Sequence, residues 1–217
     1  IKGCASISLD KKELLVGEYL ARIGMEGSVK SEGRDIILSP YTTGLLDKFL
    51  DGRSIPAFET ARGCPFMCTF CDQGLDASKV TAFSTKRLME EFWYVGEKMS
   101  KHKEGTKVVA IFDSNWGLFE KDVDLANNVL GVMDKYDWPE FIECLTPKSN
   151  RENLLKINDV LKNRVQVGLS MQSMNIQTLS DIKRKNWTTA EYLDFVEEIK
   201  KRGKAATSEM IIPLPGE

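Results

Sequence analysis

Phe58-Glu59-Thr60-Ala61-Arg62-Gly63-Cys64-Pro65-Phe66-Met67-Cys68-Thr69-Phe70-Cys71 is the stretch on which the reading of this chain turns. Its first four residues, Phe58 to Ala61, read as a β-strand that feeds a loop. On that loop three cysteines stand in the spacing Cys-x3-Cys-x2-Cys, with an aromatic, Phe70, directly before the last. Three thiolates this close suit three irons of a cubic iron–sulfur cluster and leave the fourth iron without a protein ligand. Electron-transfer clusters are ordinarily closed by four cysteines, so an open iron points to chemistry at the metal. Two plainer readings stay open: a zinc site completed by Cys4, Cys144 or His102, and three ordinary thiols that fall close together.

Beyond the loop the pattern alternates. Ser84 or Thr85 caps a helix predicted to about Lys103, with Leu88, Phe92, Val95 and Met99 as its buried stripe. Residues 107–112 are nearly all apolar, as in a parallel strand covered on both faces. A second helix is predicted over 122–135, burying Val123, Ala126, Val129, Leu130 and Met133. A third strand follows at 141–145 and a third helix at 150–161. A fourth strand at 165–171 leads to a short helix near 175–183. A longer helix at 189–201 opens on the capping box Thr188-Thr189-Ala190-Glu191 and ends at Gly203. Met210-Ile211-Ile212 lies in a fifth strand. Alternating strands and helices imply right-handed crossovers and a parallel α/β sheet. A flat doubly wound sheet is the competing fold, but it calls for a glycine-rich phosphate turn after the first strand, where this chain has its cysteines.

Residues 1–56 differ in texture and read as an N-terminal extension or linker from an upstream domain. Residues 4–9 and 13–16 pattern as two short strands about a turn at 10–12, and 45–50 as a short amphipathic helical turn. The Ile1 start and the Pro213-Leu214-Pro215-Gly216-Glu217 end suggest a piece of a longer protein.

Composition narrows the function classes. The chain has 217 residues, of which 42% are hydrophobic, and a net charge of −2. A core of useful size is available, and no electrostatic nucleic-acid footprint is present. Five cysteines, an odd number with three clustered, argue against a disulfide framework. Free thiols fit a reducing cytoplasm. No apolar run reaches the length of a bilayer span, and no signal peptide is evident.

The loop resembles that of the radical S-adenosylmethionine superfamily, and the likeness extends over roughly residues 36–217. Beyond the cysteines and Phe70, it rests on Arg62-Gly63-Cys64, on Ser170-Met171-Gln172-Ser173 and on Leu214-Pro215-Gly216-Glu217. Leu38-Ser39-Pro40-Tyr41-Thr42-Thr43-Gly44 and Pro56-Ala57-Phe58-Glu59-Thr60 are similar to the subclass that carries an N-terminal cobalamin-binding domain, which this chain does not contain. The resemblance implies a partial parallel (β/α)6 barrel over 57–217, truncated after its fifth strand. It implies a [4Fe-4S] cluster on Cys64, Cys68 and Cys71; metal-bound thiolates are deprotonated, a charge that neighbouring Arg62 is placed to offset. It also implies S-adenosylmethionine chelated at the open iron and cleaved to a 5′-deoxyadenosyl radical that abstracts hydrogen from a small-molecule or peptide substrate. An external flavodoxin- or ferredoxin-like donor would supply the electron, and cobalamin would come through an upstream domain.

In parallel α/β folds ligands gather at the carboxyl ends of strands. The resemblance accordingly assigns cofactor contacts to Phe70, to Asp113, Ser114 and Asn115 (for the methionine ammonium, which needs acceptors), to Ser170 and Gln172, to Arg184 for the carboxylate, and to Ile212 beside adenine. Three of these positions have a plainer alternative: core packing for Phe70, an Asx cap for the Asp113 stretch, a solvated helix-end cation for Arg184. Pro213 stands where relatives carry Gly and removes a backbone donor. Alternative functions are a cobalamin-dependent methyltransferase and a non-catalytic iron–sulfur or zinc module.

Overall fold

The computed structural model describes residues 5–8, 10, 12–16, 38–74 and 80–216. Cys4, Leu9, Lys11, 34–37 and Glu217, which figure in the sequence reading, lie outside the described residues. The chain divides into two compact units, Ile1–Ile37 and Leu38–Glu217.

In the first unit β1 (Ala5–Ile7) and β2 (Leu14–Val16) pair antiparallel, Ala5 opposite Val16 and Ile7 opposite Leu14. The two short strands expected there are present.

The second unit is built on parallel strands. Its elements are β3 (Ala57–Phe58), β4 (Ala61–Arg62), β5 (Thr81–Ala82), α1 (Thr85–Met99), β6 (Val108–Ile111), α2 (Glu120–Tyr136), β7 (Phe141–Cys144), α3 (Arg151–Val160), α4 (Ile176–Asp181) and α5 (Thr189–Lys201). The three-stranded sheet runs β3-β6-β7, parallel throughout, with Phe58 opposite Ile111 and Ile111 opposite Cys144. The predicted fourth and fifth strands continue the same parallel order only as single bridges, Ile142 to Val165, Gly168 to Thr207 and Gln172 to Met210. Gln172, itself bridged to Met210, adopts φ +61°, a left-handed conformation that no regular strand contains, so the pairing does not continue past it as a regular strand.

Each helix start follows from its sequence. Ser84 Oγ accepts a hydrogen bond from Arg87 N at 3.3 Å to cap α1. Asp122, inside the first turn of α2, accepts from Phe119 N and Gly117 N. Thr188 and Glu191 close the predicted capping box of α5 reciprocally, at 2.7 and 3.2 Å. The stripe Leu88, Phe92, Val95 and Met99 is buried, as is Val129 of α2. At the α1–α2 contact a Cβ on Gly96 would stand 2.5 Å from Val132 Cγ1, so the helices approach as closely as they do because position 96 has no side chain.

Residues 38–50 join this core instead of standing apart as a linker. Tyr41 stacks on Phe58, which stacks on Phe92, with ring centroids 5.0 and 4.0 Å apart. The Tyr41 hydroxyl donates to Ala57 O at 2.6 Å and accepts from Ala57 N at 3.0 Å. It thus satisfies the backbone of β3. The expected helical turn is a single 3-10 turn at Asp47–Phe49.

Side chains of β6 and β7 sort by face. Val109, Ile111, Ile142 and Cys144 are buried among the helices. Phe112 and Leu145, at the carboxyl ends of the two strands, stay exposed and line a cavity.

Candidate active site

That cavity, about 430 Å³, collects the ends of every parallel segment. Its rim begins at the cysteine loop. Strand β4 pairs with β5, Arg62 opposite Thr81, and this short antiparallel clasp closes the loop at its base. Gly63, at φ +99°, makes the turn into Cys64, a conformation that favours glycine. The loop is pinned by Thr69 N donating to Ile182 O at 3.0 Å and by Cys71 N donating to Cys68 O at 3.1 Å.

Cys64, Cys68 and Cys71 all line the cavity, with Phe70 beside them. Cys68 is buried, and the other two are half-buried. Asn115 donates from Nδ2 to Cys64 Sγ at 3.2 Å. Two cations meet at Cys68: Lys148 Nζ lies 3.5 Å from its sulfur and Arg184 Nη1 3.9 Å. Lys148 also stands 4.2 Å above the Phe66 ring. Burial lowers the Lys148 pKa, against the opposing pull of Cys68.

The far wall is polar. Ser170 donates to Glu209 at 2.8 Å. Arg184 donates from Nε to Asn186 Oδ1 at 2.7 Å and from Nη2 to Ser170 O. Asn186 in turn donates to Met171 O and Ser173 O. Gln172 is buried, and its Oε1 finds no donor among the described residues.

Nine of the eleven site residues read from the sequence therefore meet in one cavity: Cys64, Cys68, Phe70, Cys71, Ser114, Asn115, Ser170, Gln172 and Arg184. Two do not line it. Asp113 turns away: its carboxylate accepts from Thr60 N at 2.6 Å and from the Thr60 hydroxyl. Burial pushes its pKa up to about 6, against the opposing effect of those hydrogen bonds. The reason is the strand period. Exposed Phe112 faces the cavity, so its neighbour Asp113 faces the interior. Ile212 is 84% exposed and outside the lining. Arg62 pairs with Glu59 at 2.8 Å, whereas Lys148 and Arg184 are cations that contact a thiol among the described residues. Cys144, a candidate fourth ligand, is buried outside the cavity with its sulfur 3.7 Å from Gln166 O. Burial raises its pKa.

Sequence reasoning passed over Lys148 as a partner of the cysteine loop and did not single out Glu209. The signal for Glu209 was period two along 205–211. Nothing local to Lys148 signals its reach to a sulfur 80 positions away.

The donor set fits a cluster with one open iron. Three thiols share a cavity with room for a ligand, two cations stand beside one of them, and a buried amide oxygen awaits a donor. No group of three or more His, Cys, Asp or Glu side chains among the described residues is arranged to hold a single metal ion. A cubane asks for something else, each thiolate on its own iron.

The family model described as the Radical SAM superfamily matches residues 58–217. The curated protein 2-(S-pantetheinyl)-carbapenam-3-carboxylate methyltransferase of Streptantibioticus cattleyicolor is 26% identical over 187 residues, 82% of this chain and 27% of that protein. The cobalamin-dependent radical SAM methyltransferase TokK of Streptomyces tokunonensis is 25% identical over 190 residues, with the same coverage. The chain thus spans about a quarter of the length of these relatives. The solved structure of the cobalamin-dependent S-adenosylmethionine radical enzyme OxsB, with aqua-cobalamin and S-adenosylmethionine bound, matches at TM-score 0.61 and 15% identity, over 97% of this chain and 29% of that one. That likeness shows the fold, an α/β fold of the radical SAM type. No helix among the described residues is long and apolar enough to cross a membrane. With the family model matched along most of its length, the chain belongs to the radical SAM superfamily and resembles its cobalamin-dependent subclass.

Proposed function

We propose that Cys64, Cys68 and Cys71 hold a [4Fe-4S] cluster and that S-adenosylmethionine occupies the 430 Å³ cavity beside them. The observation that carries this reading is that all three thiols open into one cavity whose other lining combines polar groups, among them Ser114, Asn115, Ser170 and Arg184, with the apolar faces of Phe112 and Leu145. When bound, the cluster supplies the electron that cleaves S-adenosylmethionine to a 5′-deoxyadenosyl radical for hydrogen abstraction. The chain's own residues bind and orient. Asn115 directs Nδ2 at Cys64, which leaves Oδ1 to accept from the methionine ammonium. Arg184, held by Asn186 and the Ser170 carbonyl, keeps a donor for the carboxylate. Ser170, donating to Glu209, keeps its oxygen free to accept from a ribose hydroxyl, and Gln172 Oε1 awaits a donor of the same kind. Phe70, Phe112 and Leu145 present apolar surface to the adenosyl group. Such placement turns a collision into a held encounter, while the cofactor supplies the hard chemistry.

The architecture in this reading is a partial (β/α)6 barrel over 57–217, ending after its fifth strand and preceded by an extension. The substrate is a small molecule or peptide, the electron comes from a flavodoxin- or ferredoxin-like protein, and the setting is the cytoplasm. A second reading has specific support. Both curated relatives are named as methyltransferases, and one as cobalamin-dependent. In that reading, cobalamin bound by an upstream domain passes a methyl group to substrate.

Anaerobic reconstitution with iron and sulfide, followed by titration with S-adenosylmethionine, tests the first reading. A bound cluster whose electron paramagnetic resonance signal changes on adding the cofactor supports it. A cluster that ignores the cofactor contradicts it. A cobalamin absorption spectrum in the longer protein, with methyl transfer, supports the second reading.

A further inference from the structure

Lys148 lies in the loop after β7, four residues beyond Cys144, yet its ammonium reaches the cysteine loop. Nζ stands 3.5 Å from Cys68 Sγ and 4.2 Å above the Phe66 ring. An ammonium over an aromatic face is held by the ring's negative quadrupole, so Phe66 and Cys68 grip it from two sides. Among the described residues no carboxylate pairs with Lys148, although other lysines of the chain do find one, as Lys98 does on Asp47 at 2.6 Å.

Arg184 approaches the same sulfur at 3.9 Å. Its guanidinium, however, is fixed by Asn186 Oδ1 and Ser170 O, so its place is set by the polar wall. Two cations beside one neutral thiol repel each other with nothing to offset the cost. Beside a thiolate that carries cluster charge, both are favourable.

We propose, building on the cluster reading above, that Lys148 sets the reduction potential of the cluster by placing a positive N–H donor on the Cys68 sulfur. Cluster potentials follow net charge and hydrogen bonds to the sulfurs. Reduction adds one electron from an external donor and makes the cluster and its three thiolates one unit more negative. An ammonium at hydrogen-bond distance stabilises that state more than the oxidised one and raises the potential. The contact joins two groups of the chain itself, so its effect is read without S-adenosylmethionine.

The test is a dithionite titration of the reconstituted protein without S-adenosylmethionine, followed by electron paramagnetic resonance. Lys148→Met removes charge and donor. Lys148→Gln keeps a donor without charge and serves equally if the Met form loads poorly. Lys148→Arg keeps the charge. At full iron content, the reduced-to-oxidised ratio at a fixed potential is expected to fall about tenfold in the Met form, a downward shift of ~59 mV for one electron. The Gln form should shift in the same direction and the Arg form return towards wild type. Unchanged midpoints in the Met and Gln forms overturn the proposal. So does an unchanged midpoint with weakened S-adenosylmethionine binding, which would make Lys148 an anchor for the ligand. Wild-type protein that takes up no cluster overturns the cluster reading itself, and this proposal with it.

Discussion

Asp113 and Thr60 close on each other in the interior, the Asp113 carboxylate taking both the backbone N–H and the hydroxyl of Thr60. The contact joins the end of β6 to the turn between β3 and β4. It lies immediately behind Ser114 and Asn115, so it fixes where those two residues present themselves to the cavity.

The Asp113 carboxyl should give the protein a pH dependence. Its pKa rises from 3.8 to about 6 because burial disfavours the charged form. The native state therefore keeps this proton where the unfolded chain has released it. Stability from this group is fully present below about pH 4 and is lost as pH rises through about 6. The change is on the order of 2–3 kcal/mol, from about 1.4 kcal/mol per pKa unit. Denaturant midpoints of metal-free protein at about pH 4 and about pH 7 should differ less in Asp113→Asn than in wild type. Parallel pH profiles for the two would show that Asp113 titrates normally.

Gly96→Ala should destabilise the fold despite improving helix propensity. A Cβ there meets Val132 Cγ1 at 2.5 Å and Tyr136 Cδ2 at 3.1 Å. Propensity gains about 1 kcal/mol, whereas overpacking costs about 1–3 kcal/mol. A thermal melt of Gly96→Ala should fall below wild type, and Gly96→Ala with Val132→Ala should recover part of the loss. A higher melting temperature in the single variant would mean that α1 and α2 separate freely.

Asn115→Ala should weaken S-adenosylmethionine binding about tenfold, the scale of one hydrogen bond to a charged group, while iron content stays unchanged. Isothermal titration on reconstituted protein reads this directly. Loss of iron with intact affinity per cluster would move Asn115's role to the Cys64 contact alone.

Cys144→Ala should leave iron content intact. Its sulfur faces Gln166 O and lies outside the cavity. Counting iron in this variant beside Cys64→Ala, Cys68→Ala and Cys71→Ala separates a three-thiolate site from one closed by a fourth cysteine.

The helices were the most legible part of the chain. The stripe at Leu88, Phe92, Val95 and Met99 and the box at Thr188 and Glu191 are local patterns, and local energetics realise them. The fourth and fifth strands were legible as apolar runs, but they pair only through single bridges at Val165, Gly168 and Gln172, and no side-chain pattern says how far a ladder runs. The cysteine spacing pointed to the loop that lines the candidate cavity. Asp113 was placed on the wrong side of its strand, because polarity marks a residue for a site without saying which face it occupies. Lys148 illustrates the remaining limit. Its partner is 80 positions distant, and only the parallel order of β6, β7 and the cysteine loop brings the two together.

Formation of 5′-deoxyadenosine is the most direct test of the central claim. The protein is reconstituted anaerobically, reduced with dithionite and given S-adenosylmethionine. The expected result is 5′-deoxyadenosine from wild type and none from the Cys64→Ala, Cys68→Ala or Cys71→Ala forms. Product formed at the wild-type rate by any of those three, or none from fully iron-loaded wild type of full length, would contradict it.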